Sequence, residues 1–313
     1  MTTSKTIIQT SHLTRAFKDN TALDQVSIAI CQGELFGLVG PDGAGKTTLL
    51  RTLAGLIGIT EGSAVVAGCD LDKNPESVKP QIGYMAQEFS LYGNLSVLEN
   101  LRFFGELYDV PASIQAERLP DLLAFADLEA FTDRRAANLS GGMKKKLALA
   151  CTLLHRPPIL LLDEPTTGVD PVSRREFWRI LNDLHIQGTT ILVSTPYMDE
   201  ADRCSRVALI YEGRIVQCDS PTALRNQLGG EVIKVVTDDW QKARGLIVPL
   251  PGVQEVQSYG EAIHVLVDST ANRSPQIRET LHNSGLEILE MRKILPRMEE
   301  AFISLIRKMD REQ

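Results

Sequence analysis

No stretch of the sequence approaches the ~20 consecutive apolar residues that a membrane-spanning helix needs. The opening MTTSKTIIQTSHLTR also lacks the apolar centre of a secretion signal. A soluble chain that stays in the cytoplasm is therefore expected. Cys31, Cys69, Cys151, Cys204 and Cys218 are odd in number, scattered and free of any CxxC pair, so neither a disulfide framework nor a zinc site is indicated and reduced structural cysteines are expected. Basic residues are in deficit: 33 Lys and Arg against 40 Asp and Glu leave a net charge of -7 and a pI near 5.4. A nucleic-acid partner, whose phosphates call for a basic face, is not expected. Internal repeats and low-complexity segments are missing as well.

What is present is enough apolar material for a substantial core, with 43% hydrophobic residues in 313. That length exceeds what one core usually serves, and about 150 residues per domain predicts roughly two domains. Residues 5 to 40 are read as alternating apolar and polar positions, as in Val26-Ser27-Ile28-Ala29-Ile30 and Leu35-Phe36-Gly37-Leu38-Val39, which predicts strands with turns between. A glycine-rich loop then leads to a helix beginning near Lys46. From Val97 to about Arg156 apolar residues recur at three and four, as at Leu98, Leu101, Phe104 and Leu107, which marks a helical insertion. Strand patterns return at Ile159 to Leu162, Thr190 to Val193 and Val207 to Tyr211, with a helical stretch from Arg174 to His185, as in a parallel sheet with crossover helices.

After Gly229-Gly230 the pattern restarts. It gives a strand at Val232 to Thr237, a helix at Trp240 to Val248, short strands around Val253 and Ile263, a helix from Pro275 to Asn283 and a strand at Leu286 to Met291, the order of a small split β-α-β domain. Leu295, Met298, Phe302, Leu305 and Ile306 keep helical spacing along one apolar stripe, which serves either a docking helix on this chain or a partner-binding helix.

Chemistry is concentrated in short motifs. Gly40-Pro41-Asp42-Gly43-Ala44-Gly45-Lys46-Thr47-Thr48 satisfies GxxxxGK[ST] between an apolar strand and a helical run, the context a phosphate-binding loop requires. Its glycines let amides close around phosphate, and the helix N-terminus adds roughly half a positive charge. Lys46 is expected on the β- and γ-phosphates of ATP and the Thr47 hydroxyl on Mg²⁺. The strand Ile159-Leu160-Leu161-Leu162 ends in Asp163-Glu164. Asp163 suits the magnesium shell, and Glu164 suits a general base or water-positioning group for attack on the γ-phosphate.

Between these motifs lies Asn138-Leu139-Ser140-Gly141-Gly142-Met143, similar to the LSGGQ signature of ATP-binding cassette (ABC) ATPases, and the chain resembles that family from residue 5 to about 225. The resemblance implies an α/β fold: a P-loop ABC ATPase domain at 5–228, with a RecA-like core, an antiparallel β subdomain and a helical subdomain at about 88–156. A small α+β C-terminal domain at 230–313 follows. It also implies an ATPase using ATP and Mg²⁺, peripheral on the inner face of the cell membrane, with a membrane permease and a second cassette as partners. In the family, Leu139 to Met143, with Ser140, Gly141 and Gly142 at the centre, face ATP held by the opposite subunit. Phe17 looks like the aromatic that stacks on adenine, with an ordinary core or surface Phe as the alternative. Gln87 resembles the glutamine that senses Mg²⁺ and the attacking water, and Gly168-Val169-Asp170 the loop that communicates between sites. Lys144-Lys145-Lys146 is expected to be a solvated helix face rather than an anion site.

Two departures stand out. The family usually has a histidine after Ile191-Leu192-Val193 that contacts the γ-phosphate; here Pro196 stands in Ser194-Thr195-Pro196-Tyr197, without a side-chain donor or an N–H. A site lacking one transition-state hydrogen bond is expected to be slower by about 10² to 10³. The chain is then the weaker member of an asymmetric pair, with a slow homodimer and a non-hydrolysing regulatory cassette as alternatives. Asp42, where asparagine is usual, is given no strong consequence. The stretch from Phe89 to Arg102, the LSGGM variant and the ending Pro296 to Phe302 resemble bacterial exporters of drugs with a separate permease, and these set export as the expected direction.

Overall fold

The computed structural model describes residues 5–18, 20–88 and 91–312. Phe89 and Ser90 of the exporter-like stretch, the first four residues and Gln313 lie outside the described residues. The chain divides into two compact units at Pro221/Thr222.

The first unit opens with β1 (Thr6–Phe17), β2 (Asn20–Val26) and β3 (Ala29–Cys31), antiparallel strands with one face inward, as the alternating sequence predicts. β4 (Leu35–Val39) leaves this layer for a second sheet and runs into α1 (Lys46–Leu53). β5 (Glu61–Val66) and β6 (Cys69–Asp70) return to the first layer, in the order β2-β1-β5-β6 with β3 on β1. β7 (Ile82–Met85) precedes three helices, α2 (Val97–Leu107), α3 (Ala112–Phe125) and α4 (Gly141–Leu153). Then come β8 (Ile159–Asp163), α5 (Pro171–Ile186), β9 (Thr190–Thr195), α6 (Met198–Ala201), β10 (Arg206–Tyr211) and β11 (Arg214–Asp219), and α7 (Pro221–Asn226) starts at the boundary and belongs to the second unit.

The second sheet has the order β11-β10-β4-β9-β8-β7, parallel from β10 to β7. β4, β8 and β9 are buried at every residue, because helices and the antiparallel layer cover both faces. Leu35 to Val39 therefore does not alternate, a correction to the grouping by sequence. One core joins Leu49, Leu50 and Leu53 of α1 to Leu38, Leu161 and Leu192 of the sheet and to Ile8, Leu23 and Ala64 of the antiparallel layer. The helical insertion builds its own core from Leu101, Leu119, Leu123, Leu147 and Cys151.

α2 starts on a reciprocal cap in which Ser96 accepts from the amide of Glu99 and Glu99 accepts from that of Ser96. One turn on, fully buried Asn100 donates to the carbonyls of Tyr92, Leu95 and Ser96 and accepts from the amide of Tyr92.

In the second unit β12 (Glu231–Thr237), α8 (Trp240–Ile247), β13 (Val253–Tyr259), β14 (Ala262–Val267), α9 (Thr270–Asn283) and β15 (Ile288–Ile294) form an antiparallel sheet of order β13-β14-β12-β15. This is the split β-α-β order. α9 begins five residues before Pro275, because Arg273 pairs with Asp268 and Glu231 accepts from the amide of Thr270, which fixes a first turn the proline alone does not reveal. α10 (Met298–Glu312) lays Ala301 against Leu228, Val232 and Leu266 of this same unit. Among the described residues no helix is long and apolar enough to cross a membrane.

Replacing Asn100 by Ala leaves the Tyr92 N–H without its acceptor, while the carbonyls of Tyr92, Leu95 and Ser96 each keep a backbone donor, so a loss of about 1–3 kcal/mol is expected. Urea unfolding checks this; a change within about 0.5 kcal/mol, as for an ordinary surface position, would mean that water takes over these bonds.

Candidate functional site

The carboxyl ends of β4, β7, β8 and β9 lie along one edge of the parallel sheet, the edge where such sheets place their ligand sites. From β4 the chain enters the loop of residues 40 to 45. A Cβ on Gly40 would lie 2.2 Å from the Ile210 carbonyl oxygen, and one on Gly45, whose φ is +104°, would lie 2.5 Å from that of Ala22. Only glycine lets this backbone approach its neighbours so closely.

Lys46 is nearly buried. Its Nζ donates to the carbonyls of Gly40 and Pro41, each at 2.9 Å, and lies 3.0 Å from Glu164 Oε1. Glu164 Oε2 accepts from Gln87 Nε2 at 2.9 Å and from the Thr167 hydroxyl at 3.2 Å. The backbone of Glu164 is left-handed, with φ +47°, and its amide donates to Ser194 Oγ at 3.0 Å. A non-glycine residue held in that region stores local strain, which the surrounding bonds maintain.

Asp163 sits one residue earlier, fully buried. Its Oδ1 accepts from Ser194 Oγ at 2.7 Å and Thr47 Oγ1 at 3.1 Å, while Oδ2 is buried without a hydrogen-bond partner. Burial, with the neighbouring Glu164 charge adding to it, raises its pKa above 3.8 against the opposing bonds from Ser194 and Thr47. A carboxylate with an unpaired oxygen beside a hydroxyl is a hard oxygen donor set, and it fits the Mg²⁺ that the sequence motifs imply.

A cleft of about 590 Å³ opens over these groups. Phe17, Thr21, Lys46, Thr47, Gln87 and Glu164 line it, and Gly43, Gly45 and Thr48 complete the loop's side of the wall. Phe17 is 42% exposed, with the Arg15 guanidinium 4.4 Å from its ring centre. Asp42 also lines the cleft, its side chain 90% exposed and 3.9 Å from Lys46. Gly40, Pro41 and Ala44 stand behind as loop backbone, the Ala44 carbonyl accepting from the amide of Gly213.

Residues 139 to 143 and Asp170 do not line this cleft. Leu139 is buried and Met143 packs in the helical core, while Ser140 caps α4 by accepting from the Met143 amide. A Cβ on Gly142 would lie 2.6 Å from Ser173 Oγ, so α4 presses against the start of α5. Asp170 caps α5, and the bonds from Ser173 and Val172 hold its carboxyl below the usual range. The exposed Gly141 shares a groove of about 330 Å³ with Gln87.

The lysine run is not a solvated face. Lys146 is buried and pairs with Asp127 at 2.8 Å and Glu176 at 2.7 Å, and Lys145 donates to the Gln87 carbonyl at 2.7 Å, leaving Lys144 exposed. Helical geometry sends three successive residues in three directions, and here only one of them faces water.

Sequence reasoning missed Ser194 and Thr167, which hold the two carboxylates, because Ser194 meets Asp163 only through the register of β8 on β9. Beyond Ser194, Thr195 Oγ1 donates to buried Glu200 at 2.6 Å, and Tyr197 stacks under Arg174 at 4.2 Å. Pro196 thus follows two hydroxyls, those of Ser194 and Thr195, already committed to carboxylates.

Residues 23–167 match the family described as ABC transporter. The chain is 43% identical over 226 residues to a probable multidrug ABC transporter ATP-binding protein of Escherichia coli, covering 72% of this chain and 39% of that one. It therefore spans about two fifths of that relative's length. It is 32% identical over 303 residues to the daunorubicin resistance ATP-binding protein of Streptomyces coeruleorubidus, covering 95% of this chain and 94% of that one. A solved dimeric ATP-binding cassette in a post-hydrolysis state, with ADP and Pi bound, superposes with a TM-score of 0.62 at 26% identity over 68% of this chain and 98% of that one.

Because the folded-state pKa of Asp163 is raised, the native chain holds its proton more tightly than the unfolded chain does. Stability falls as pH rises from the ordinary carboxylate range through the raised value, and the loss persists above it. Asp163→Asn keeps an acceptor for Ser194 and Thr47 and removes the buried charge. A higher thermal midpoint at neutral pH without nucleotide is expected, together with loss of Mg²⁺-dependent nucleotide affinity. A lower midpoint would mean that the bonds to the carboxylate outweigh its desolvation.

Proposed function

The chain belongs to the ATP-binding subunits of the ABC transporter family, and from that premise we propose that it hydrolyses ATP to drive a separate membrane permease that exports drugs or other small molecules. The observation that carries this is the convergence of Lys46, Thr47, Gln87, Asp163 and Glu164 on one cleft. The names of the relatives, a probable multidrug ABC transporter ATP-binding protein in Escherichia coli and a daunorubicin resistance ATP-binding protein in Streptomyces coeruleorubidus, support drugs as the cargo. A cytoplasmic place on the inner face of the membrane goes with this reading.

Adenine stacks on the open face of Phe17, whose other face is occupied by Arg15. When a triphosphate enters, Lys46 exchanges the carbonyls of Gly40 and Pro41 and its ion pair to Glu164 for phosphate oxygens. Glu164, released from the lysine but still oriented by Thr167 and Gln87, accepts a proton from the attacking water. Thr47 and Asp163, with Gln87, would hold Mg²⁺, which supplies positive charge to the β- and γ-phosphate oxygens. Ser140, Gly141 and Gly142 serve a second cassette by closing over its ATP, and Asp170 links the two sites.

Pro196 offers nothing to the γ-phosphate, and neither of the two hydroxyls that precede it is free to substitute, since Ser194 donates to Asp163 and Thr195 to Glu200. The chain's own site is therefore slow, and its better use is in a heterodimer whose competent site it completes with its signature. The same observation favours a second reading, a nucleotide-binding regulatory cassette that does not hydrolyse.

Steady-state Mg-ATPase of the purified chain separates these. Under the favoured reading the chain binds ATP with low turnover, Pro196→His raises it roughly ten- to a hundredfold, and Glu164→Gln removes it. Fast turnover abolished by Glu164→Gln makes the chain a self-sufficient homodimer. Turnover absent from the chain and from Pro196→His alike makes it a regulatory binder.

A further inference from the structure

The second unit carries a cavity of about 390 Å³ on one face of its sheet, lined by Lys234, Tyr259, His264, Arg292, Ile294 and Arg297. Lys234 of β12 stands directly opposite His264 of β14 on one side and Arg292 of β15 on the other, so three basic residues form one row across neighbouring strands. Lys234 and Arg292 are like charges directly opposite one another, a pairing that destabilises a sheet unless an anion accompanies it. Protein carboxylates meet only part of that demand. Glu290 accepts from both Lys234 and Arg292, and Glu300 faces Nδ1 of buried His264 at 2.6 Å, yet neither carboxylate lines the cavity. Arg297 has no ion pair among the described residues; its guanidinium lies 4.6 Å from the centre of the Tyr259 ring.

The lining is thus rich in donors and poor in acceptors. Lysine and arginine only donate, and His264 uses Nδ1 on Glu300, which leaves Nε2 outside that bond. Burial, with Glu300 and Glu299 adding to it, pushes the Tyr259 hydroxyl up to about 12, so the ring is a neutral wall at physiological pH, its hydroxyl donating to Gln257. Tyr259 and Ile294 give the cavity an apolar side.

We propose that this cavity binds a small free anion bearing carboxylate or phosphate groups, which makes the second unit a ligand-binding module in a chain whose net charge is -7. Glu290 and Glu300 hold the basic groups from behind, and the ligand supplies the acceptors that the wall lacks.

Calorimetric titration of the full chain with inorganic phosphate and with citrate tests this. At least one probe is expected to bind saturably in the millimolar range or tighter. Lys46→Ala should leave that binding intact, and Arg292→Gln and Arg297→Gln should each weaken it about tenfold or more. Both arginine side chains are exposed, so the variants should keep the parent's circular dichroism; if one does not, the other carries the comparison. Failure of both probes, equal binding by the arginine variants, loss in Lys46→Ala, or binding only to phosphatidylglycerol vesicles would each overturn the proposal.

Discussion

Everything at the nucleotide edge of the sheet depends on one buried carboxylate. Asp163 Oδ1 takes hydrogen bonds from Ser194 at the end of β9 and from Thr47 in the first turn of α1, so a single oxygen ties three segments that are far apart in sequence. The same serine, through its hydroxyl oxygen, accepts the amide of Glu164 and holds that residue's left-handed backbone. Shifting β8 by one residue on β9 would turn every side chain on it to the other face and break these contacts together.

This arrangement costs stability and serves chemistry. A fully buried carboxylate disfavours its own charge, and here a second carboxylate lies next to it. Among the described residues the cation in direct contact with the pair is Lys46, at Glu164, itself almost buried and satisfied by backbone carbonyls of its own loop. Such a cluster is electrostatically unfinished on the side facing the cleft, where a phosphate chain and a divalent cation would complete it.

The strand end at Pro196 shows how neighbouring residues decide the meaning of one substitution. Proline removes a donor, but the consequence is set by Thr195 and Ser194, whose hydroxyls are engaged, and by Glu200, which is 1% exposed and also accepts from Thr166.

The glycine turn of residues 40 to 45, the Asp163-Glu164 pair at the end of β8 and the start of α4 after Ser140 were legible in the sequence because they are local: a few consecutive residues set a turn, a helix start and a charge. Element order was legible for the same reason, through the period of the apolar residues, and the split β-α-β order after Gly229 followed from it. Tertiary structure alone decided that Leu35 to Val39 is buried on both faces, that Lys146 is an interior ion-pair partner while Lys144 is solvated, and that Lys234, His264 and Arg292 form one row. Each of these depends on which strand or helix lies alongside. Hydrogen bonds and ion pairs between residues dozens of positions apart leave no periodic trace in the chain, and only the packed sheet brings them together.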